Sequence, residues 1–135
     1  ISWARYNRSV LVRVPPGKEM RTRLEYRPTD GSCNFYLAFA GILSAGLDGI
    51  KRKIEPEEPV EENIYEMDAK EREKRGIELL PENLGDALKE LSKDKVIQDA
   101  LGQALYEKFL EIKTKEWRDY NTTVHDWERK KYIDV

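Results

Sequence analysis

The chain has 135 residues, 37% charged and 39% apolar, with a net charge of −2. That length suits one domain with a real core, and the near-neutral balance excludes the basic excess of a general nucleic-acid binder. Its longest apolar run, Phe35 to Leu47, falls short of the roughly 20 residues that span a bilayer, so no membrane partner is expected either. No signal peptide stands at the start, and one cysteine, Cys33, makes no intrachain disulfide, which fits a cytoplasmic setting. The opening Ile1-Ser2-Trp3-Ala4 lacks an initiator methionine, so the chain is expected to start inside a larger protein.

Two β-like runs come first. Arg8-Ser9-Val10-Leu11-Val12-Arg13-Val14 alternates valines with other residues and ends in Pro15-Pro16-Gly17-Lys18, a turn or longer β-β loop. In Arg21-Thr22-Arg23-Leu24-Glu25-Tyr26-Arg27 a strand would place Arg21, Arg23, Glu25 and Arg27 on one face. Like charges two residues apart on a strand lie roughly 7 Å from each other, costing about 2 kcal/mol per pair at an effective dielectric of about 20. Two readings stay open. One is an anion site, with guanidinium forks for phosphate oxygens and a carboxylate for a cation; the other is a solvated outer face of an antiparallel sheet. If the strands pair, Arg13 joins the charged face and Arg8 lies at its end.

Ser32 or Asn34 is placed to cap a helix over 34–50 that is apolar or small on all sides, stopped at Asp48-Gly49 and expected to be buried. Residues 51–80 read as a charged connector, with Glu55-Pro56-Glu57-Glu58-Pro59 too polar for a core. Over 81–135 the pattern is helical. Pro81 precedes Leu84, Leu88 and Leu91, and a longer helix is expected from Asp94 through Ile112. Thr123-Val124-His125-Asp126 resembles a capping box opening a short terminal helix. The expected order is β-β followed by four helical pieces, an α+β fold of short antiparallel strands followed mostly by helices. His125, Trp3, Trp117 and Trp127 are read as structural, Cys33 as a small buried or lining residue and Tyr65 as half-buried.

Asn7-Arg8-Ser9 with Val12-Arg13-Val14-Pro15, then Arg23-Leu24-Glu25-Tyr26-Arg27, Cys33-Asn34-Phe35-Tyr36-Leu37-Ala38-Phe39 and Ala45-Gly46-Leu47-Asp48-Gly49-Ile50 closely resemble the C-terminal part of type I glutamine synthetase. The likeness runs on through Asn63-Ile64-Tyr65 to Val124-His125-Asp126-Trp127-Glu128. The resemblance implies that residues 1–135 are the C-terminal part of the catalytic domain, with substrate- and metal-binding strands in 1–27. It implies ATP-dependent ligation of ammonia to glutamate through γ-glutamyl phosphate, with Mg2+ or Mn2+. By the same resemblance Glu25 would ligate the metal and Arg27 would hold glutamate. Arg8 would be catalytic, reaching both glutamate and the transferring phosphate of ATP, and Arg13 and Arg23 would bind ATP phosphates. The family's other metal carboxylates and its ammonia site belong to sequence upstream of Ile1, so this chain alone is expected to be inactive.

The family also implies a homo-oligomer, a dodecamer of two hexameric rings locked by the tail Thr123–Val135, whose Trp127, Tyr132, Ile133 and Val135 exceed what a short helix buries alone. Tyr65 is followed by Glu66-Met67-Asp68 where adenylylated relatives carry Asp-Leu-Pro-Pro, which argues against control by adenylylation, and Lys70 to Arg75 resembles the non-adenylylated alpha subtype. Two rival functions remain: a γ-glutamyl ligase using another amine, and a non-catalytic assembly module.

Overall fold

The computed structural model describes residues 1–17 and 21–133; Lys18 of the expected turn and Val135 of the tail lie outside them. Among the described residues three two-residue strands form one sheet in the order β1 (Trp3–Ala4), β2 (Val12–Arg13), β3 (Glu25–Tyr26). β1 runs parallel to β2, and β2 antiparallel to β3 with Val12 opposite Tyr26 and Arg13 opposite Glu25. The expected antiparallel pair is present, but only two residues of each alternating run join the ladder. Alternation supplies a two-faced ribbon; a strand also needs a neighbour for its N–H and C=O groups, and Arg21 to Leu24 lie exposed outside the ladder. β1 was not foreseen, because two residues carry no period. It is identified by the flanking bonds Val12 N–H to Ser2 O (3.2 Å) and Val14 N–H to Ala4 O (2.8 Å).

The chain divides into two compact units, Ile1–Leu80 and Pro81–Val135. The core of the first is Ala4, Val10, Ile64, Met67 and Ile77, with Val60 packed against it. Three of those five residues come from 51–80, so the connector reading is corrected: Glu55 to Glu58 are exposed as expected, but the segment after them builds core. Its apolar residues are isolated among charges and show no period. Two capped turns aim them inward. Asn63 accepts from Tyr65 N–H (3.2 Å) at the 3-10 turn Ile64–Glu66, and Asp68 accepts from Glu71 N–H (2.8 Å) at α2 (Ala69–Lys74, following α1 below).

Helix α1 (Phe35–Arg52) is capped by Asn34, whose side chain accepts from Tyr36 N–H (3.1 Å) and Leu37 N–H (3.3 Å). It passes the expected stop at Asp48-Gly49, with Asp48 paired to Arg52 one turn later (3.1 Å), and closes at Lys53, in the left-handed region with φ 55°. The expected burial is not met within this chain. No residue of α1 is buried, and Phe35, Phe39, Leu43, Leu47 and Ile50 make an exposed apolar stripe. Burial needs an opposing surface, and the described residues of this unit supply none.

In the second unit α3 (Leu84–Lys93) is capped by Asn83, which accepts from Asp86 N–H (2.9 Å). Asp94 caps α4 (Lys95–Leu101), accepting from Ile97 N–H (3.1 Å). The long helix expected from Asp94 is two helices, broken at Gly102 (φ 73°) before α5 (Gln103–Thr122). Only glycine adopts that φ without strain. Helices α3 and α5 meet where a Cβ on Gly85 would lie 2.4 Å from Trp117 Nε1, so the close approach requires glycine. The terminal helix α6 (Asp126–Tyr132) starts two residues later than the expected box: His125 is its cap, donating N–H to the Glu128 carboxylate (2.8 Å), while Thr123 Oγ1 donates to Asp119 O (2.7 Å). The His125 ring lies against Tyr120, 4.6 Å between centroids. Trp127, Tyr132 and Ile133 are exposed. Among the described residues, no helix is long and apolar enough to cross a membrane.

Candidate functional site

The β2–β3 register sets Arg13 opposite Glu25, and directly opposed residues share a face. Arg13 Nη1 donates to Glu25 Oε2 at 2.8 Å, and Arg23 Nη2 donates to Glu25 Oε1 at 3.1 Å. Each carboxylate oxygen thus receives one guanidinium. The Arg13 hydrogen bond, opposed by desolvation and helped by the charges of Arg13 and Arg23, holds the Glu25 carboxyl below its ordinary value of 4.5. Arg13 is the better buried arginine, its side chain 16% exposed against 57% for Arg23. Its Nε is buried and finds no partner among the described residues. Two guanidiniums against one carboxylate leave a net positive cluster, which suits an anion.

The other predicted residues gather elsewhere in the first unit. Arg8 and Arg27 line a cavity of about 490 Å³ together with Ser9, Leu11 and Tyr65. Arg27 follows β3 directly, and its N–H donates to Leu11 O at 3.0 Å. The four-charge strand face is therefore corrected: Arg13, Arg23 and Glu25 form one cluster, Arg8 and Arg27 share a cavity, and Arg21 is exposed outside the ladder. Cys33 is exposed, not buried or lining, and Tyr65 is 82% exposed, not half-buried.

Among the described residues no group of three or more His, Cys, Asp or Glu side chains converges as a metal requires. Glu25 is one carboxylate donor of the kind a divalent ion takes, and the described residues do not complete a site around it. The residues that pattern reading passed over are Asn7, Ser9 and Glu61, which tie the loop bearing Arg8 to the segment before Tyr65. Their only sequence signal is the pair of short polar side chains flanking Arg8; nothing local points to Glu61, 54 positions beyond Asn7.

Residues 1–132 match the family model for the glutamine synthetase catalytic domain. A glutamine synthetase of Thermotoga maritima is 55% identical over 133 residues, and one of Methanocaldococcus jannaschii is 52% identical over the same length. Each alignment takes in 98% of this chain but only 30% and 29% of the relative. The chain thus spans about a third of the length of the curated relatives it matches. A solved GmaS/ADP complex superposes with a TM-score of 0.79 at 37% identity, covering 96% of this chain and 28% of that one.

Proposed function

This chain belongs to the glutamine synthetase catalytic-domain family, and from that premise we propose that it serves, within a family-length protein, in the ATP-dependent ligation of ammonia to L-glutamate through γ-glutamyl phosphate. The observation that carries the reading is the Glu25 carboxylate held between Arg13 and Arg23 on the strand that leads directly to Arg27. Phosphoryl transfer asks a protein for positioned charge more than for covalent chemistry. In this reading Arg13 and Arg23 hold ATP phosphates. Arg27 grips the glutamate carboxylate, and Arg8 meets both glutamate and the transferring phosphate. Glu25 would supply one ligand to a Mg2+ or Mn2+ ion, which when bound would neutralise phosphate charge.

The isolated chain is then inactive. The open stripe of α1 is the face that further family sequence covers. The exposed Trp127, Tyr132 and Ile133 favour a tail that docks on another subunit of a dodecamer in the cytoplasm. The test is product formation by the family-length protein with ammonia and with methylamine, each at saturating ATP, glutamate and Mg2+. Glutamine formation with ammonia as the better amine is expected, and a preference for methylamine would overturn the choice of nucleophile. Glutamine formed by the 135-residue chain alone would overturn its incompleteness.

A further inference from the structure

Arg8 stands on a stretch with no ladder of its own. β1 ends at Ala4 and β2 begins at Val12, so the N–H groups between them need other acceptors. Glu61 supplies them. Its Oε1 accepts from Arg5 N–H at 2.7 Å, and its Oε2 accepts from Tyr6 N–H at 3.0 Å and Asn7 N–H at 3.1 Å. Asn7 completes the attachment from the other direction. Its amide nitrogen donates to Val60 O (2.9 Å) and Glu62 O (2.5 Å), while its Oδ1 accepts from Ser9 N–H (2.8 Å) and Ser9 Oγ (2.7 Å). Ser9 Oγ in turn accepts from Ile64 N–H at 2.9 Å.

Arg8 is therefore bracketed by two side chains, Asn7 and Ser9, both bonded into the 60–64 segment. The amide of Asn7 has spent both donors and both acceptor sites, so no isosteric residue repeats its pattern. A carboxylate at 61 is the side chain with enough lone pairs to take three converging N–H groups. Tyr65 follows that segment directly and lines the same cavity as Arg8.

We propose that Glu61 and Asn7 are positioning residues for Arg8, clamping residues 5–9 to residues 60–64 so that the guanidinium meets the reacting carboxylate and phosphate at one place. The proposal rests on the role given to Arg8 above. The guanidinium stem carries several rotatable bonds, and a displaced backbone shifts its tip, where a misplacement of about 1 Å costs about 100-fold in rate. Glu61→Gln keeps the shape but turns an NH2 toward N–H donors. Asn7→Asp keeps the shape but faces a carboxylate with the carbonyls of Val60 and Glu62.

The test is a cycle in the family-length protein: Arg8→Ala, Glu61→Gln and the double variant, each read as kcat/KM for glutamate at saturating ATP. Glu61→Gln should lose about 10–100-fold, and the double variant should lose no more than Arg8→Ala alone, since a residue that acts only through Arg8 has nothing left to position. Glu61→Asp should recover part of the loss, and Glu62→Gln, whose carboxylate pairs with Arg75 instead (3.0 Å), should match the wild type. If the losses of Arg8→Ala and Glu61→Gln multiply, Glu61 supports the fold at large and the clamp is overturned while the role of Arg8 stands. An unimpaired Arg8→Ala overturns both. Should Glu61→Gln give no folded protein, Asn7→Asp in the same cycle decides by the same comparison.

Discussion

The two units differ in how far their polar side chains reach. In residues 1–80, beside local caps such as Asn34 and Asp68, a set of them bonds across sequence distances of 53 to 56 positions: Glu61 to the backbone of Arg5, Tyr6 and Asn7, Asn7 to Val60 and Glu62, Ser9 to Ile64, and Trp3 Nε1 to Glu57 O. In residues 81–133 the caps and ion pairs join neighbours three or four positions apart, as in Asn83 to Asp86, Lys89 to Asp86 and Lys108 to Glu111. The difference follows from the backbone. Helices satisfy their own N–H and C=O groups, so side chains there need only tidy the ends. Strands of two residues satisfy almost none, and side chains must finish the work. All the candidate site residues stand on the second kind of scaffold.

The largest effect should separate the two kinds of charge pair. Glu25→Gln in the family-length protein leaves Arg13 and Arg23 without their anion and removes a carboxylate the reading assigns to metal, so kcat should fall about 10²–10³-fold or more. Asp86→Asn, which breaks the exposed Lys89 pair (2.6 Å) in the second unit, should leave kcat within about twofold. Equal losses in the two variants would erase the contrast, and wild-type kcat with unchanged metal affinity in Glu25→Gln would remove Glu25 from the site. Next in size, Arg27→Ala should chiefly raise the KM for glutamate and Arg13→Ala that for ATP, each costing about 2–4 kcal/mol in the transition state. Should both variants raise only the KM for ATP, Arg27 belongs with the phosphates.

The same contrast decides what was legible in the sequence. Caps at Asn34, the apolar spacing of Leu84, Leu88 and Leu91, and the antiparallel partnership of the two arginine-bearing runs are short-range signals, and all three are present in the fold. The split at Gly102 was missed, although the glycine that interrupts the stripe there was a short-range signal for it. The meeting of Arg13 with Glu25 followed from pairing two alternating runs. What could not be read was anything requiring a partner more than 50 residues away. Ile64, Met67 and Ile77 lie singly among charges, and Glu61 looks like any other acid in a run of them. No period marks a residue whose role is set by a distant backbone. The roles assigned to Arg8, Arg13, Arg23, Glu25 and Arg27 came from family resemblance, and the geometry supplies their grouping.

Packing gives a smaller effect with the units reversed. Gly85 holds α3 against Trp117 with no room for a methyl group, whereas a Cβ on Gly31 in the first unit meets nothing within 4 Å. Gly85→Ala should therefore destabilise the 135-residue chain by about 1–3 kcal/mol, and Gly31→Ala should change it by less than about 0.5 kcal/mol. Thermal unfolding followed by far-ultraviolet circular dichroism measures both. A neutral Gly85→Ala would mean that the α3–α5 contact yields easily and that this unit depends on its local helix signals alone.

The smallest effect tests whether the long-range bonds of the first unit depend on carboxylate charge. The N–H of Arg5, followed by those of Tyr6 and Asn7, holds the Glu61 carboxyl below its ordinary value of 4.5. A carboxyl depressed in the folded state adds stability above its unfolded pKa and loses it as pH falls through the folded one. The melting temperature of the wild-type chain should thus exceed that of Glu61→Gln by a constant margin at neutral pH. The margin should begin to shrink once pH drops through 4.5 and close below the lowered value. Lys108→Ala offers the matching case from the second unit: its exposed pair with Glu111 (2.8 Å) should be worth about 0.2–0.5 kcal/mol at low salt and fade in 1 M salt. The Glu61 margin at neutral pH should survive that salt, because its partners are backbone N–H groups at hydrogen-bonding distance and not mobile ammonium groups. A Glu61 margin that vanished in salt, or that stayed flat down the acid range, would place Glu61 among the surface charges and leave the loop around Arg8 held by Asn7 and Ser9 alone.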